Sequence, residues 1–545
     1  MTDLTERDEP DATSIDAVPV APPKHAAWAL VLICVAQLMV VLDSTIANIA
    51  LPYIGTDLDI DSTNLSWIVT GYALAFGGLL LLGGRLGDLY GRRRIFIIGV
   101  SLFAVASAVG GLAQNEAMLL GSRGFQGLGA AFASPTALAL ITTTFPPGPL
   151  RNRAFSVFAA MSGVGAAIGL ILGGWLTGID PQFGWRLTFL INVPIGLAAA
   201  YFAPKVLADS DHHAGVLDVP GAVLGTAGLL SLVFGITRTG NQDSSGQPYG
   251  WGDPLALTGM LVGVALLVTF VLWETRTKHP IMPLTIFRSR TRAVAFLSMM
   301  ITPAAMFSMF FFLSLFVQNV MGYAPLRAGF AFLPFCFGMV FGATLASKLM
   351  AKVDPRFISG TGTLLGGVAL FMFHRLDAAT GPSDVLHAAQ GGAHLGHTVS
   401  YWADLMPFIT LMSFGMGMTF VPMMMAAVHG VRAQDAGIGS GVLNTMQQVG
   451  GALGLAILST VAAHYTTHHL GTIGASLQGL GGQLAGVDQD ALHRQTYFAA
   501  FSYGATHAFL VGAIMIWTAS ALIWTLLNVN KEEMAEVETP EGVAV

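Results

Sequence analysis

Two charges of opposite sign, Asp43 and Arg123, lie well inside long apolar runs of the chain. A charge at the centre of a membrane helix costs roughly 2.5–3.5 kcal/mol on insertion scales, so each is expected to have a partner or a function. Counted back from the ends of their runs, Asp43 lies about 8 residues in and Arg123 about 6. At about 1.5 Å per residue, both sit roughly 9–12 Å below the same membrane face. A carboxylate there suits proton exchange: loss of water favours the neutral acid, and a guanidinium or cationic substrate favours the carboxylate. The alternative is a static structural pair.

A second charged cluster is the turn Gly84-Arg-Leu-Gly-Asp88-Leu-Tyr-Gly91-Arg92-Arg93-Arg94. Gly91 permits a tight turn with positive φ, and Asp88 stands where it can pair with Arg92 and face a neighbouring helix N-terminus. Such a latch can be broken and remade, although arginines at a turn also fix topology. Other chemistry is poorly represented. No G-x4-G-K-S/T loop is present, which excludes a P-loop ATPase motor. His464 and His468 have i, i+4 spacing, but no further ligands follow at a recognisable spacing, so no metal is expected.

The elements that must carry these residues follow from composition. Of 545 residues, 54% are hydrophobic and 10% charged, with 65 glycines, too few charges to cover a soluble globule. With a net charge of −6, a soluble enzyme, a nucleic-acid binder and a disordered scaffold all fit poorly. Cys34 and Cys336 lie in apolar stretches and read as packing residues.

Fourteen apolar runs are long enough to span a bilayer, near 27–51, 64–83, 95–113, 118–141, 155–177, 186–204, 217–237, 254–273, 293–317, 328–350, 357–374, 404–427, 437–463 and 506–528. With both termini cytoplasmic, 19 of the 25 Lys and Arg fall in inside segments, five stand singly outside, and Arg123 is buried. This asymmetry supports an even span count. The expected fold is an all-α polytopic membrane protein. Its parts are a disordered tail (1–24), a six-helix bundle (25–210), two extra helices with their flanks (211–290), a second six-helix bundle (291–530) and an acidic tail (531–545). A weak echo of the 84–94 turn at Lys348, Lys352 and Arg356 supports an internal repeat. The outer segments near 375–403 and 464–505 are long enough to cap a cavity.

The turn matches the pattern G-x3-D-x2-G-R-K/R of the major facilitator superfamily. Leu42-Asp43-Ser-Thr-Ile-Ala-Asn48-Ile-Ala-Leu-Pro52, Arg123-Gly-Phe-Gln126-Gly127-Leu-Gly129 and Trp185-Arg186-Leu-Thr-Phe-Leu-Ile-Asn192-Val-Pro194-Ile-Gly196 resemble signatures of its fourteen-helix drug–proton antiporters, the QacA/EmrB type. Phe76–Asp88 and Thr144–Asn152 resemble EfpA-type efflux pumps within that family. The resemblance runs from Ala27 to Val529. One departure stands at Gly165-Ala-Ala-Ile-Gly169-Leu170-Ile-Leu-Gly173-Gly174, where the antiporter motif carries proline in place of Leu170. The glycines still allow close helix approach between the halves, while loss of proline removes a kink.

The resemblance implies two six-helix bundles plus two helices, in the cell membrane, with no enzymatic activity and no cofactor beyond a proton gradient. It places Asp43 and Arg123 on helices lining a central cavity, as the proton-coupling pair. One charge moving through about 150 mV releases roughly 3.5 kcal/mol, enough for a several-hundred-fold substrate gradient. Candidate cavity residues are Asn48, Gln126, Phe307, Phe311, Gln318, Asn319, Met416, Asn444 and Gln447. Methionine and phenylalanine give an adaptable apolar surface, although the same residues serve as ordinary packing or lipid-facing side chains. The expected function is proton-coupled export of lipophilic or amphipathic compounds by alternating access. Translocation of lipids or lipid-linked substrates is the alternative within transport, and a membrane scaffold or sensor lies outside it.

Overall fold

Glycine and proline set many helix boundaries. Gly91 takes φ 97°, which reverses the chain between two helices within one residue. Pro149, Pro254, Pro325 and Pro355 open helices, where a missing N–H leaves no bond unmade. Asn115 and Asp253 cap others by accepting from the N–H of Met118 and Ala256.

The computed structural model describes residues 26–60, 62–145, 148–207, 216–241, 248–429, 436–479, 484 and 486–529. The tails expected at 1–24 and 531–545 lie outside these. The helices are α1 (Ala26–Asp57), α2 (Ser62–Tyr90), α3 (Arg92–Gly111), α4 (Glu116–Thr144), α5 (Pro149–Thr177), α6 (Gly184–Leu190), α7 (Asn192–Val206), α8 (Val219–Gly240) and α9 (Pro254–Arg276). There follow α10 (Arg290–Leu315), α11 (Pro325–Ala331), α12 (Leu333–Leu349), α13 (Pro355–His374), α14 (Pro382–Ala389), α15 (Met406–Val428), α16 (Ala436–Gln478) and α17 (Gln489–Leu526). Among the described residues, 14 spans are long and apolar enough to cross a membrane. Two consist of two pieces: α6 and α7 break at Ile191, and α11 and α12 at Phe332.

Successive spans alternate in direction. One end of the molecule carries Asp57 and the other carries the Gly91 turn. The first seven helices pack mainly among themselves, as do α10 to α17. The two groups meet where α5 touches α11 and where α2 lies along α16. Helices α8 and α9 pack on each other, and α8 rests on α2 and α16. Val223, Leu261, Val264 and Val268 of this pair keep half or more of their surface exposed, as lipid-facing helices do.

Two expectations need correction. The segment 464–505 is largely helix, because α16 runs on for 43 residues and α17 for 38. Thr466, Thr467, His468 and His469 end the apolar run without ending the helix, and 43 residues at about 1.5 Å each exceed a core of about 30 Å. There the histidines stack on tyrosines: Tyr465 on His507 (4.1 Å between ring centroids) and His469 on Tyr503 (4.3 Å). Second, the ninth helix extends past residue 273 to Arg276 and buries Glu274 at 4% exposure. Asp43 and Arg123 are therefore not the only charges buried within a span.

Candidate functional site

Asp43 and Arg123 meet. They are 2% and 1% exposed, and Arg123 Nη1 donates to Asp43 Oδ2 at 2.5 Å. Asp43 Oδ1 accepts from Gln126 Nε2 at 2.9 Å and from Asn192 Nδ2 at 3.1 Å. The carboxyl thus takes three donors, as an acceptor-only carboxylate can. Arg123 makes two further bonds within the same nest, with Nε on the Ile68 carbonyl (2.7 Å) and Nη1 on Gln126 Oε1 (3.0 Å). Gln126 Nε2 also reaches Ser107 Oγ at 2.7 Å. The guanidinium lies 4.4 Å from the centre of the Tyr72 ring, a cation–π contact in a site without water access. Five elements therefore contribute to this nest, α1, α2, α3, α4 and α7, with α4 and α7 donating to the carboxyl itself.

The equal depth read from the sequence is what lets the pair meet, but the pair does not line a cavity. It is enclosed in the interior of the first helical group, where its bonds run to Ile68 of α2, Gln126 of α4 and Asn192 of α7. Asn192, Ser107 and Tyr72 are the residues that sequence reasoning missed. Asn192 stood in a quoted motif without a role; the break at Ile191 makes it the first residue of α7 and aims its amide at Asp43.

The candidate cavity residues divide. Gln126 belongs to the charged nest, and Phe311 and Met416 are 2% and 1% exposed, so these three are enclosed rather than cavity-lining. Hydropathy could not separate them because a Phe or Met stripe looks the same in core and in wall. Asn48 and Gln318 are buried at a seam: Ser314 Oγ donates to the Asn48 carbonyl (2.9 Å), and Gln318 Nε2 to the Ile49 carbonyl (3.1 Å). Phe307, Asn319 and Gln447 are half-buried, and Asn444 is exposed.

In the turn, Arg92 donates from Nη2 and Nε to Asp88 Oδ1 (3.1 and 3.3 Å) and from Nη1 to the Ala139 carbonyl of α4 (3.4 Å). Arg93 donates to the Leu207 carbonyl at 3.2 Å, and Gly84 faces Pro135 of α4. The lead into α16, residues 430–435, lies outside the described residues. The glycine motif of α5 also divides. Gly165, Gly169 and Gly173 face Leu38, Thr45 and Ile46 of α1, within the first group. Only Gly174 reaches across, where a Cβ would stand 2.5 Å from the Pro325 carbonyl of α11; the Leu170 carbonyl in turn lies against Gly329. The expectation that all four glycines join the halves is therefore corrected.

Fourteen spans, a charged pair sealed among them and a charged turn bonded to α4 define a multi-pass membrane transporter rather than an enzyme. The sequence profile of the Major Facilitator Superfamily matches residues 33–455, and the chain belongs to that superfamily. It is 37% identical over 482 residues to the MFS-type transporter EfpA of Mycobacterium tuberculosis, covering 88% of this chain and 84% of that one. It is 36% identical over 511 residues to the puromycin resistance protein of Streptomyces alboniger, covering 92% and 94%. In fold it is similar to a bacterial homolog of the human lysosomal transporter Spinster, with TM-score 0.62 at 15% identity, over 92% of this chain and 97% of that one. The chain is an MFS-type transporter homologous to antibiotic and multidrug efflux proteins, and a multi-pass protein of the cell membrane.

Proposed function

We propose that the chain exports small lipophilic compounds by proton-driven alternating access, with Asp43 as the proton carrier. The observation that carries this reading is the three-donor carboxyl of Asp43 inside a nest drawn from five elements. A protonated carboxyl offers a donor where only acceptors stood and loses the charge that strengthens its bonds, so its hold on Arg123, Gln126 and Asn192 weakens. Proton binding then moves α1 relative to α4 and α7, which is the coupling that transport needs. Puromycin resistance in a relative supports a small lipophilic cargo. The basic-residue asymmetry supports cytoplasmic termini, and the packing supports a plan of six, two and six spans. In this reading the Asn48–Ser314 seam is the outer seal, Asp88 and Arg92 form the inner latch, and Phe307, Asn444 and Gln447 contribute to the substrate path.

The test is substrate flux in proteoliposomes under an imposed pH gradient, with wild type beside Asp43→Asn. The reading requires gradient-driven flux that Asp43→Asn abolishes; flux indifferent to the gradient, or unchanged in the variant, overturns it.

A further inference from the structure

Away from the Asp43 nest, a second pair of acids is buried where α8 begins and α9 ends. Asp218 and Glu274 are 5% and 4% exposed. Each commits one oxygen to protein donors. Asp218 Oδ1 accepts from the Gly221 N–H (3.0 Å) and from Trp273 Nε1 (2.8 Å), and Glu274 Oε2 accepts from the Met282 N–H (3.1 Å). The other oxygens, Asp218 Oδ2 and Glu274 Oε1, are buried without a protein donor. Both lie 2.6 Å from the place a Cβ on residue 221 would occupy, so they face each other across the space that Gly221 leaves.

Two carboxylate oxygens have nothing to donate, and burying both as charges without a counterion is costly. One hydrogen between them satisfies both atoms and removes one charge. We propose that Asp218 and Glu274 form a second proton-binding site, one shared proton clasping the start of α8 to the end of α9 and, through Met282, to the segment that leads into α10.

No neighbouring cation does this work among the described residues. Arg276 on α9 and Lys278 and His279 beyond it are exposed. From α2, packed on α8, come Arg85, Tyr90 and Asp88, the last engaged with Arg92. Arg238, the other titratable group of α8, is paired with Asp253 at the far end. Helix α16 presents no titratable side chain from 436 to 463. Losing the proton leaves two like charges buried together, so the clasp holds below the pH of release and opens above it.

The test uses the full chain in lipid nanodiscs, with Tm and infrared difference spectra recorded between about pH 5 and about pH 9. The expected result is a carboxylic-acid C=O band that vanishes on raising the pH, with Tm falling over the same interval. Glu274→Gln keeps a donor toward Asp218 without a titrating proton, so it loses the band and flattens the Tm profile. Asp218→Asn removes the like charge and serves the same purpose if the first variant does not fold. Asp43→Asn keeps the band, which separates this site from the coupling carboxyl. A wild-type profile unchanged in both Glu274→Gln and Asp218→Asn overturns the proposal, as does a Tm at high pH rescued by sodium but not by acid.

Discussion

Asn192 Nδ2 donates to Asp43 Oδ1 at 3.1 Å from the first residue of α7, directly after a break in the sixth span. A hydrogen bond to a charged group contributes about 1.5–3 kcal/mol. Asn192→Ala is expected to slow gradient-driven export while substrate binding, read by fluorescence, persists. Wild-type export in this variant removes Asn192 from the coupling.

Arg123 uses its guanidinium in three directions, toward Asp43, Ile68 and Gln126. An ammonium cannot reproduce that fork. Arg123→Lys keeps the charge but loses at least one of these bonds, so it is expected to lower Tm and to reduce export at least about tenfold, about 1.4 kcal/mol in the transport barrier. Retention of both would mean that charge alone suffices.

In the proposed cycle, the seam bonds from Ser314 to the Asn48 carbonyl and from Gln318 to the Ile49 carbonyl are the seal of the Asp57 end. At about 1 kcal/mol each, the double change Ser314→Ala with Gln318→Ala shifts the balance of open and closed states by about 30-fold. Pulsed electron paramagnetic resonance between labels at the ends of α1 and α10 reads this as a longer-distance population. An unchanged distance distribution contradicts the seal.

The α5 glycines rank by what a methyl group would meet. On Gly174 it meets the Pro325 backbone carbonyl at 2.5 Å, which cannot yield; on Gly165 it meets a Leu38 methyl at 3.0 Å, which can rotate. Gly174→Ala is therefore expected to cost about 1–3 kcal/mol and to impair transport, with Gly165→Ala milder in both. Tm and flux on the two variants check the order.

Much of this was legible in the sequence because the bilayer imposes a coarse rule. Fourteen apolar runs, two stray charges and a glycine-marked turn survive any uncertainty in packing. What hydropathy could not resolve were neutral polar residues such as Asn192 and Ser107, whose roles depend on which way a broken helix points. Nor could it resolve Phe311 and Met416, apolar in either setting. Glu274 was hidden for the opposite reason: an acid at the end of a run reads as a flank, and only tertiary contact with α8 shows that it is enclosed.

Acid is expected to act at another place as well. Arg238 donates to Asp253 Oδ2 at 2.7 Å, and this bond holds the Asp253 carboxyl below the ordinary carboxylate value. With the folded value depressed, the contact stabilises the α8–α9 connection above the unfolded carboxylate range and is lost as pH falls through the folded value. Asp253→Asn should mimic that loss at neutral pH. Faster hydrogen exchange at the Ala256 amide, whose N–H Asp253 also holds at 2.8 Å, reports it.

The placement of α8 and α9 gives the molecule two unequal flanks. The line where α2 meets α16 is roofed by α8, whereas the line where α5 meets α11 and α12 looks straight into hydrocarbon, with Ile168, Trp175, Phe330 and Phe337 exposed beside it. The two seams between the halves thus meet the bilayer differently, one through α8 and the other directly.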